Sequence, residues 1–282
     1  RLREVGRQLF ETLFSGPVLG SYRASLGVAQ QRGEPLRVVL RLTAPQLAAL
    51  PWEALFDAEI DAYICRKEPL VRHVPAPFTP EPLKVTPPLR VLGLVASPRG
   101  MPALDVAAEQ EHLSDALAAP IGEGLIKLEW LVQASWDDVQ DKLLAPRKWH
   151  VLHFIGHGDY DTTTDQGQIA LVGEGGQANL VGADQLADLL YQPDGTLRLV
   201  VLNSCSSGEE GSQDVFSGTA AALVRGGISA VAAMQFSVSD RAAIDFARGF
   251  YSAIAHGRDV DDAVVEGRKS ILGAPGTLEW VT

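Results

Sequence analysis

Trp149-His150-Val151-Leu152-His153-Phe154-Ile155-Gly156-His157-Gly158 and Leu197-Arg198-Leu199-Val200-Val201-Leu202-Asn203-Ser204-Cys205-Ser206-Ser207-Gly208 decide how this sequence reads. Each opens on a run rich in Val, Leu and Ile, long enough for one strand and too short for most helices. Each run then breaks into Gly and Ser, where a strand leaves a sheet and a loop begins. Each break carries a reactive side chain, His157 in the first and Cys205 in the second. In an open parallel sheet the ligand crevice forms outside the carboxyl ends of the strands. The pattern therefore predicts His157 and Cys205, 48 residues apart, side by side at one sheet edge.

Outward from these runs, strands and helices alternate. Strand signals at 89–95, 125–132, 149–155, 197–202 and 228–234 interleave with helical periodicities at 105–118, 136–144, 183–191, 214–225, 239–255 and 260–271. Such alternation implies right-handed crossovers and a mainly parallel sheet with helices on both faces. Gly173-Glu174-Gly175-Gly176 reads as the tip of a hairpin between Gln168–Val172 and Gln177–Leu180. Upstream, residues 75–88 hold six prolines, the composition of a stiff linker. The stretch before it, 1–74, reads as a smaller α+β subdomain, leaving 89–282 as the main unit. Its expected parts are an amphipathic helix at 3–14, a second helix at about 19–31 stopped by Gly33, and a strand at 36–42. Short helical turns follow around Ala44-Pro45 and at Pro51-Trp52-Glu53, and Ile60–Ile64 with Pro69–Val74 reads as a hairpin. Trp52 and Glu53 read as a buried corner rather than a partner site. No internal repeat is present.

The 282 residues suffice for one large α/β domain or two small ones, and 46% hydrophobic with 21% charged residues is ordinary for a folded protein. A net charge of −11 argues against nucleic acid or an anionic membrane as the main partner, because phosphate binding needs a basic face. Two cysteines, Cys65 and Cys205, make no disulfide framework, so a cytoplasmic, reducing setting is expected. No run of 18 apolar residues and no signal peptide is seen. The chain begins at Arg1 rather than Met, which reads as a piece of a longer protein whose sensor or partner domain lies outside it.

A cysteine nucleophile needs a thiolate, hence exposure and a nearby base or cation. Cys205 lies among Ser and Gly after a strand and ahead of a helix, whose N-terminal dipole favours an anion. A lone cysteine is more commonly a small buried residue, and Cys65, inside Tyr63-Ile64-Cys65-Arg66, reads that way. Two histidines are candidate bases. His153, flanked by Leu152 and Phe154, reads as a packed or supporting residue; His157 lies between Gly156 and Gly158, which allow close backbone approach. The backbone N–H groups of Gly158 and Cys205 are candidate donors to the oxyanion of an attacked carbonyl. His73, His112, His150 and His256 have no comparable setting. A zinc site lacks ligands, the 173–176 glycines lack a following Lys-Ser/Thr, and no G-x-S-x-G elbow occurs near 200–210.

The ordered set of motifs resembles the caspase-like cysteine peptidases, in which an apolar strand ending in His-Gly precedes a Cys-bearing strand by about 50 residues. The surroundings of Cys205 are more similar to the separase and CHAT branch, and further stretches favour CHAT: Leu50-Pro51-Trp52-Glu53-Ala54-Leu55 with Asp57, Pro69-Leu70-Val71-Arg72, Val91 to Pro98, and Ala107-Ala108-Glu109-Gln110-Glu111. The resemblance, from about Glu4 to Trp280, implies a caspase-like α/β fold with a pseudo-caspase-like subdomain over 1–74. It implies a peptide-bond hydrolase acting on protein substrates without a cofactor, with His157 and Cys205 as its dyad. It also implies control by an attached sensor, such as tetratricopeptide repeats or a nucleotide-binding module, in bacterial signalling or defence. Asn203 stands two residues before the Cys, where basic-specific relatives often carry Asp. Asp159, Glu209, Glu210, Asp214 and Asp240 crowd the neighbourhood, and no basic residue lies between Leu199 and Val224. A preference for Arg or Lys before the cut is expected, with Asp159, Asn203 and Asp240 as substrate contacts. Two rival readings are a catalytically silent caspase-like scaffold or regulatory module, and a flavodoxin-like ligand-binding domain, which explains the sheet but neither motif.

Overall fold

The computed structural model describes residues 1–282 except 43–46, 48, 49, 77–84, 103, 162, 165, 205–214, 235–237, 274–277 and 282, and only the backbone at 160, 204, 215–217 and 240. Most of the proline-rich stretch and the Ala44-Pro45 turn thus lie outside the described residues.

Helices α1 (Leu2–Leu13) and α2 (Gly16–Arg32) open the chain, close to the expected spans. Pro17 falls in the first turn of α2, where its missing N–H costs nothing. Gly33 ends the helix in the left-handed region, at φ 68°, its N–H returning to the carbonyls of Ala29 and Gln30. The expected hairpin between 60–64 and 69–74 does not form. Strand β1 (Val38–Arg41) pairs in parallel with β4 (Leu70–His73), while β2 (Phe56–Asp57) pairs antiparallel with β3 (Ala62–Tyr63). Two apolar runs close in sequence look like a hairpin, but a single 3₁₀ turn, Ile64–Arg66, occupies the connection. The second run instead matches β1, with Val38 and Leu70 paired and both buried. Trp52 and Glu53 form the expected buried corner. The Trp52 indole donates to the Leu47 carbonyl at 2.7 Å, and Glu53 accepts from Arg72 Nε at 3.2 Å.

The rest is the expected alternation. Strands β5 (Leu89–Ala96), β6 (Ile126–Val132) and β7 (Val151–Gly156) are separated by helices α3 (Val106–Ala116), α4 (Ala118–Gly122) and α5 (Trp136–Leu144). Then come β8 (Gly158–Asp161), β9 (Gln166–Val172), β10 (Ala178–Gly182) and α6 (Ala183–Leu190). Strands β11 (Leu199–Ser204) and β12 (Ala230–Ala233) flank α7 (Val215–Arg225), and α8 (Asp240–Ala255) and α9 (Val260–Leu272) follow. The central sheet is parallel throughout, in the order β12-β11-β7-β5-β6. Every residue of β7 is buried, as a strand covered on both faces must be. Val91, Val95, Val151, Ile155, Leu199 and Val201 share one core cluster with α3, α8 and the N-terminal helices. Leu92, Leu94, Leu152, Phe154, Val200 and Leu202 join the opposite one, with residues of α5, α6 and α7. β8, β9 and β10 form a separate antiparallel sheet; the sequence anticipates the β9–β10 hairpin but not β8. No helix among the described residues is long and apolar enough to cross a membrane.

Glu53 ties the N-terminal part to α9. Its carboxylate faces Arg72 of β4 and, at 4.0 Å, Arg268 of α9, whose Nε also donates to the Trp280 carbonyl. Removing one partner of a buried pair leaves a desolvated charge behind. Glu53→Ala is therefore expected to lower the unfolding free energy by about 3 kcal/mol. Glu59→Ala, at a carboxylate 74% exposed, is expected to cost less than about 1 kcal/mol. Urea denaturation of both variants measures the difference.

Candidate active site

β7 and β11 run side by side in parallel, from Val151 opposite Leu199 to Gly156 opposite Ser204. Only a glycine fits at 156, since a Cβ there would lie 2.6 Å from the Phe154 ring and 3.0 Å from the Ala96 carbonyl oxygen. His157 is the next residue, 6% exposed, with Nε2 2.8 Å from the carbonyl oxygen of Pro102. A carbonyl can only accept, so Nε2 carries the hydrogen, and in the neutral ring Nδ1 keeps the lone pair.

Pro102 belongs to the loop leaving β5, and that loop is held at both ends. Arg99 N–H donates to the Gly176 carbonyl at 2.7 Å, which joins the loop to the β9–β10 tip. Gly176 itself lies at φ 79°, a conformation suited to glycine. At the other end Leu104 N–H donates to Ser97 Oγ, and Asp105 caps α3 by accepting from Ala108 N–H at 3.0 Å. Sequence reasoning names neither Pro102 nor the hairpin tip as part of the site. A main-chain carbonyl is common to all residue types, so no residue choice signals it.

The chain turns directly from His157 into β8. Ala170 N–H donates to the His157 carbonyl at 2.9 Å, making 157 and 170 a hydrogen-bonded pair. The following pair, Gly158 with Ile169, is then of the other kind, and the Gly158 N–H points away from β9. Asp159, next along, is exposed and opposite Gln168. Asn203 is buried at 7% exposure, opposite Ile155, and its Oδ1 has no hydrogen-bond partner among the described residues. Asp159 and Asn203 therefore do not occupy one environment. Asp240 is the first residue of α8, after the N-cap Ser239, and its side chain is outside the description. Cys205 follows Ser204 in the chain and, with Glu209, Glu210 and Asp214, lies outside the described residues.

The other candidates separate by environment. The Cys65 thiol is buried, donates to the Glu53 carbonyl at 2.9 Å, and is pushed up to about 11 by burial, so it stays protonated and inert. His150 Nδ1 accepts from Arg90 N–H at 3.0 Å, and burial with the Arg90 charge lowers its pKa. His153 faces the α3/α8 side, hydrogen-bonded through Nδ1 to the Tyr251 hydroxyl at 2.7 Å. Burial lowers its pKa from 6.5 to about 3, which agrees with a supporting rather than a catalytic histidine. His112, unremarkable in the sequence, lines a cavity under the sheet edge with Glu109, His153 and Asn203.

The depressed pKa of His153 has a consequence for stability. Below about pH 6.5 the unfolded chain takes up this proton, while the folded chain stays neutral until near pH 3. Its contribution is thus complete above pH 6.5 and is lost progressively as pH falls toward 3. Urea unfolding between pH 6 and pH 4 is expected to show a slope steeper by up to about 1.4 kcal/mol per pH unit than in His153→Gln. Parallel slopes for the two proteins would contradict the neutral, buried assignment.

A search of curated proteins gives no match. The family model described as the CHAT domain matches residues 3–278, nearly the whole chain. That domain is related to the caspase-like cysteine peptidases, and the five-stranded parallel sheet between helical layers is consistent with their fold. On that coverage, the chain belongs to the CHAT domain family.

Proposed function

We propose that this chain is a cysteine endopeptidase in which Cys205 is the nucleophile and His157 its base and acid. One observation carries the reading: Gly156 and Ser204 are register partners on neighbouring parallel strands, and His157 and Cys205 are the residues that follow them. Neighbouring strands lie about 4.8 Å apart, and consecutive Cα atoms about 3.8 Å. The shared strand edge therefore supports pairing His157 with Cys205.

The chemistry follows from the His157 tautomer. Nδ1, holding the lone pair, takes the proton of the Cys205 thiol. The thiolate sulfur bonds to the carbonyl carbon of the scissile peptide, and the carbonyl electrons move onto oxygen. The N–H groups of Gly158 and Cys205 bind that oxyanion; support comes from Gly158 N–H pointing away from β9. The C–N bond then breaks, and the proton on Nδ1 goes to the leaving amine. Water, deprotonated at Nδ1, attacks the thioester, releasing the acid and regenerating the thiol. Throughout, the Pro102 carbonyl accepts from Nε2–H and orients the ring. A backbone acceptor thus serves where a triad would use a carboxylate.

Around this dyad we place the remaining expectations. Residues 1–74 form a subdomain joined through 75–88 to the catalytic unit 89–282, and an attached sensor controls activity in the bacterial cytoplasm. Exposed Asp159 contributes to the rim of the substrate cleft, and Asp240 contacts substrate from the start of α8. Asn203 serves the residue before the cut.

Cys205→Ala is expected to abolish peptide hydrolysis with Tm nearly unchanged, and His157→Ala to lower it by about 10²–10⁴-fold. Mass spectrometry after treatment with a peptidyl electrophile should place the adduct on Cys205 and leave Cys65 unmodified. Absence of any Cys205 adduct, together with equal hydrolysis by wild type and Cys205→Ala, would favour the silent scaffold.

A further inference from the structure

At the other end of the sheet from His157, a groove of about 610 Å³ opens where β5, β6, the end of α5 and the loop from α5 to β7 meet. Its charged lining is Arg90, Glu129, Lys142 and Arg147, and Ala145, Pro146 and Trp149 supply the apolar wall. The Trp149 indole is buried and donates to the Lys142 carbonyl at 3.2 Å, which ties that wall to the end of α5. Six strand residues, roughly 20 Å, separate Arg90 from Ala96, the register partner of Gly156. The groove is therefore remote from His157, and what it binds does not depend on the peptidase reading.

Three cations and one carboxylate leave the lining with two positive charges in excess, in a chain whose net charge is −11. The strand register shows why one cation is left over. Arg90 stands opposite Lys127 and Leu92 opposite Glu129, so all three charged side chains share the face that Leu92 turns toward the α5 layer. The Glu129 carboxylate is already engaged, by Arg147, by Lys142 at 3.6 Å and by Lys127 at 3.7 Å. Arg90 bonds only through its main chain, to His150, and its guanidinium has no partner among the described residues. Like charges side by side on neighbouring strands repel. An anion seated over Arg90 relieves that repulsion.

The kind of anion follows from charge, shape and space. A guanidinium is a planar fork that matches two oxygens of a phosphate. A phosphate monoester carries close to two negative charges near neutral pH, which balances the excess of the lining; a carboxylate or a sulfate ester balances half of it. A long polyanion would have to extend from the groove over an acidic surface, which favours a small ligand. The volume lies within the range of small-molecule sites, about 300–1,000 Å³, and exceeds the needs of a bare phosphate. The wall of Ala145, Pro146 and Trp149 suits an apolar or aromatic body beside the charged head.

We propose that this groove binds a small organic phosphomonoester, with its dianion on Arg90, Arg147 and Lys142 and its body against Ala145 and Pro146.

The probe is phenyl phosphate, titrated into the chain at pH 7.5 and followed through the methyl resonance of Ala145. Saturable binding is expected, at least tenfold tighter than that of phenyl sulfate, which has the same body and a single charge. Inorganic phosphate should bind more weakly than phenyl phosphate. Arg90→Ala removes a side chain without partners, so Tm should hold while affinity falls about tenfold or more. Glu129→Gln removes the competing carboxylate and should strengthen binding. The opposite signs of the two variants separate a site from a change in folding. No saturable shift at Ala145, equal binding of phenyl sulfate and phenyl phosphate, or unchanged affinity in both variants overturns the proposal and leaves a solvated basic patch. Equal binding of inorganic phosphate overturns the organic body. Displacement of phenyl phosphate by an oligoglutamate peptide that binds more tightly overturns the small ligand in favour of an acidic protein segment.

Discussion

Six consecutive residue pairs between β7 and β11 are the constraint on which the candidate site depends. In a strand the side chains alternate faces, so a slip of one residue would move every side chain to the other side. His153, Ile155 and Asn203 would then leave the α3/α8 layer and meet the packing of α5, α6 and α7. The buried apolar residues on both faces prevent this, since Val151 and Ile155 fit one cluster and Leu152 and Phe154 the other. Register is thus held by hydrophobic burial along the strands, and the chemistry at their ends inherits its position. Gly156 adds a local condition, because only the lack of a Cβ lets β7 end against Phe154 and Ala96.

The edge departs from the rule that cores avoid unsatisfied polar groups. Most of the sheet interior is aliphatic, but under the carboxyl ends of β7 and β11 the wall includes His153, Asn203 and Glu109, all buried. His153 is reconciled with burial by staying neutral and bonding to Tyr251. Asn203 is not reconciled within the described residues. The burial of the two apolar clusters offsets such a cost.

Two glycine-rich features and one carbonyl hold His157 in a defined state. The β9–β10 tip fixes Arg99, the loop behind Arg99 presents Pro102, and the Pro102 oxygen selects the Nε2–H tautomer. The imidazole is therefore positioned by main-chain atoms from two segments, the β9–β10 tip and the loop after β5. The contrast with Cys65 is instructive: its sulfur also meets a main-chain carbonyl, but complete burial raises the pKa and removes it from reactivity. Environment, more than residue type, separates a reactive group from an inert one.

Much of the architecture is written locally. Strands β5, β7 and β11 read as apolar runs because parallel strands covered on both faces need little polar alternation. Helix α5 reads to its ends because Ser135 and Asp138 form a capping box, a signal four residues long. The motif pair His157-Gly158 and Cys205 is also local, and so is the demotion of His153 and Cys65 by their apolar neighbours. What the sequence left open is which segments meet. Pro69–Val74 joins β1 rather than its neighbour, and Gly158–Asp161, with two acids and a glycine, becomes a strand only because β9 lies beside it. The Pro102 carbonyl, the Asn203 oxygen left unpaired among the described residues, and the placement of Glu109 and His112 in the same cavity wall have no sequence signature. Each depends on contacts between residues tens of positions apart, and backbone atoms and cavity shape exist only once the layers have packed.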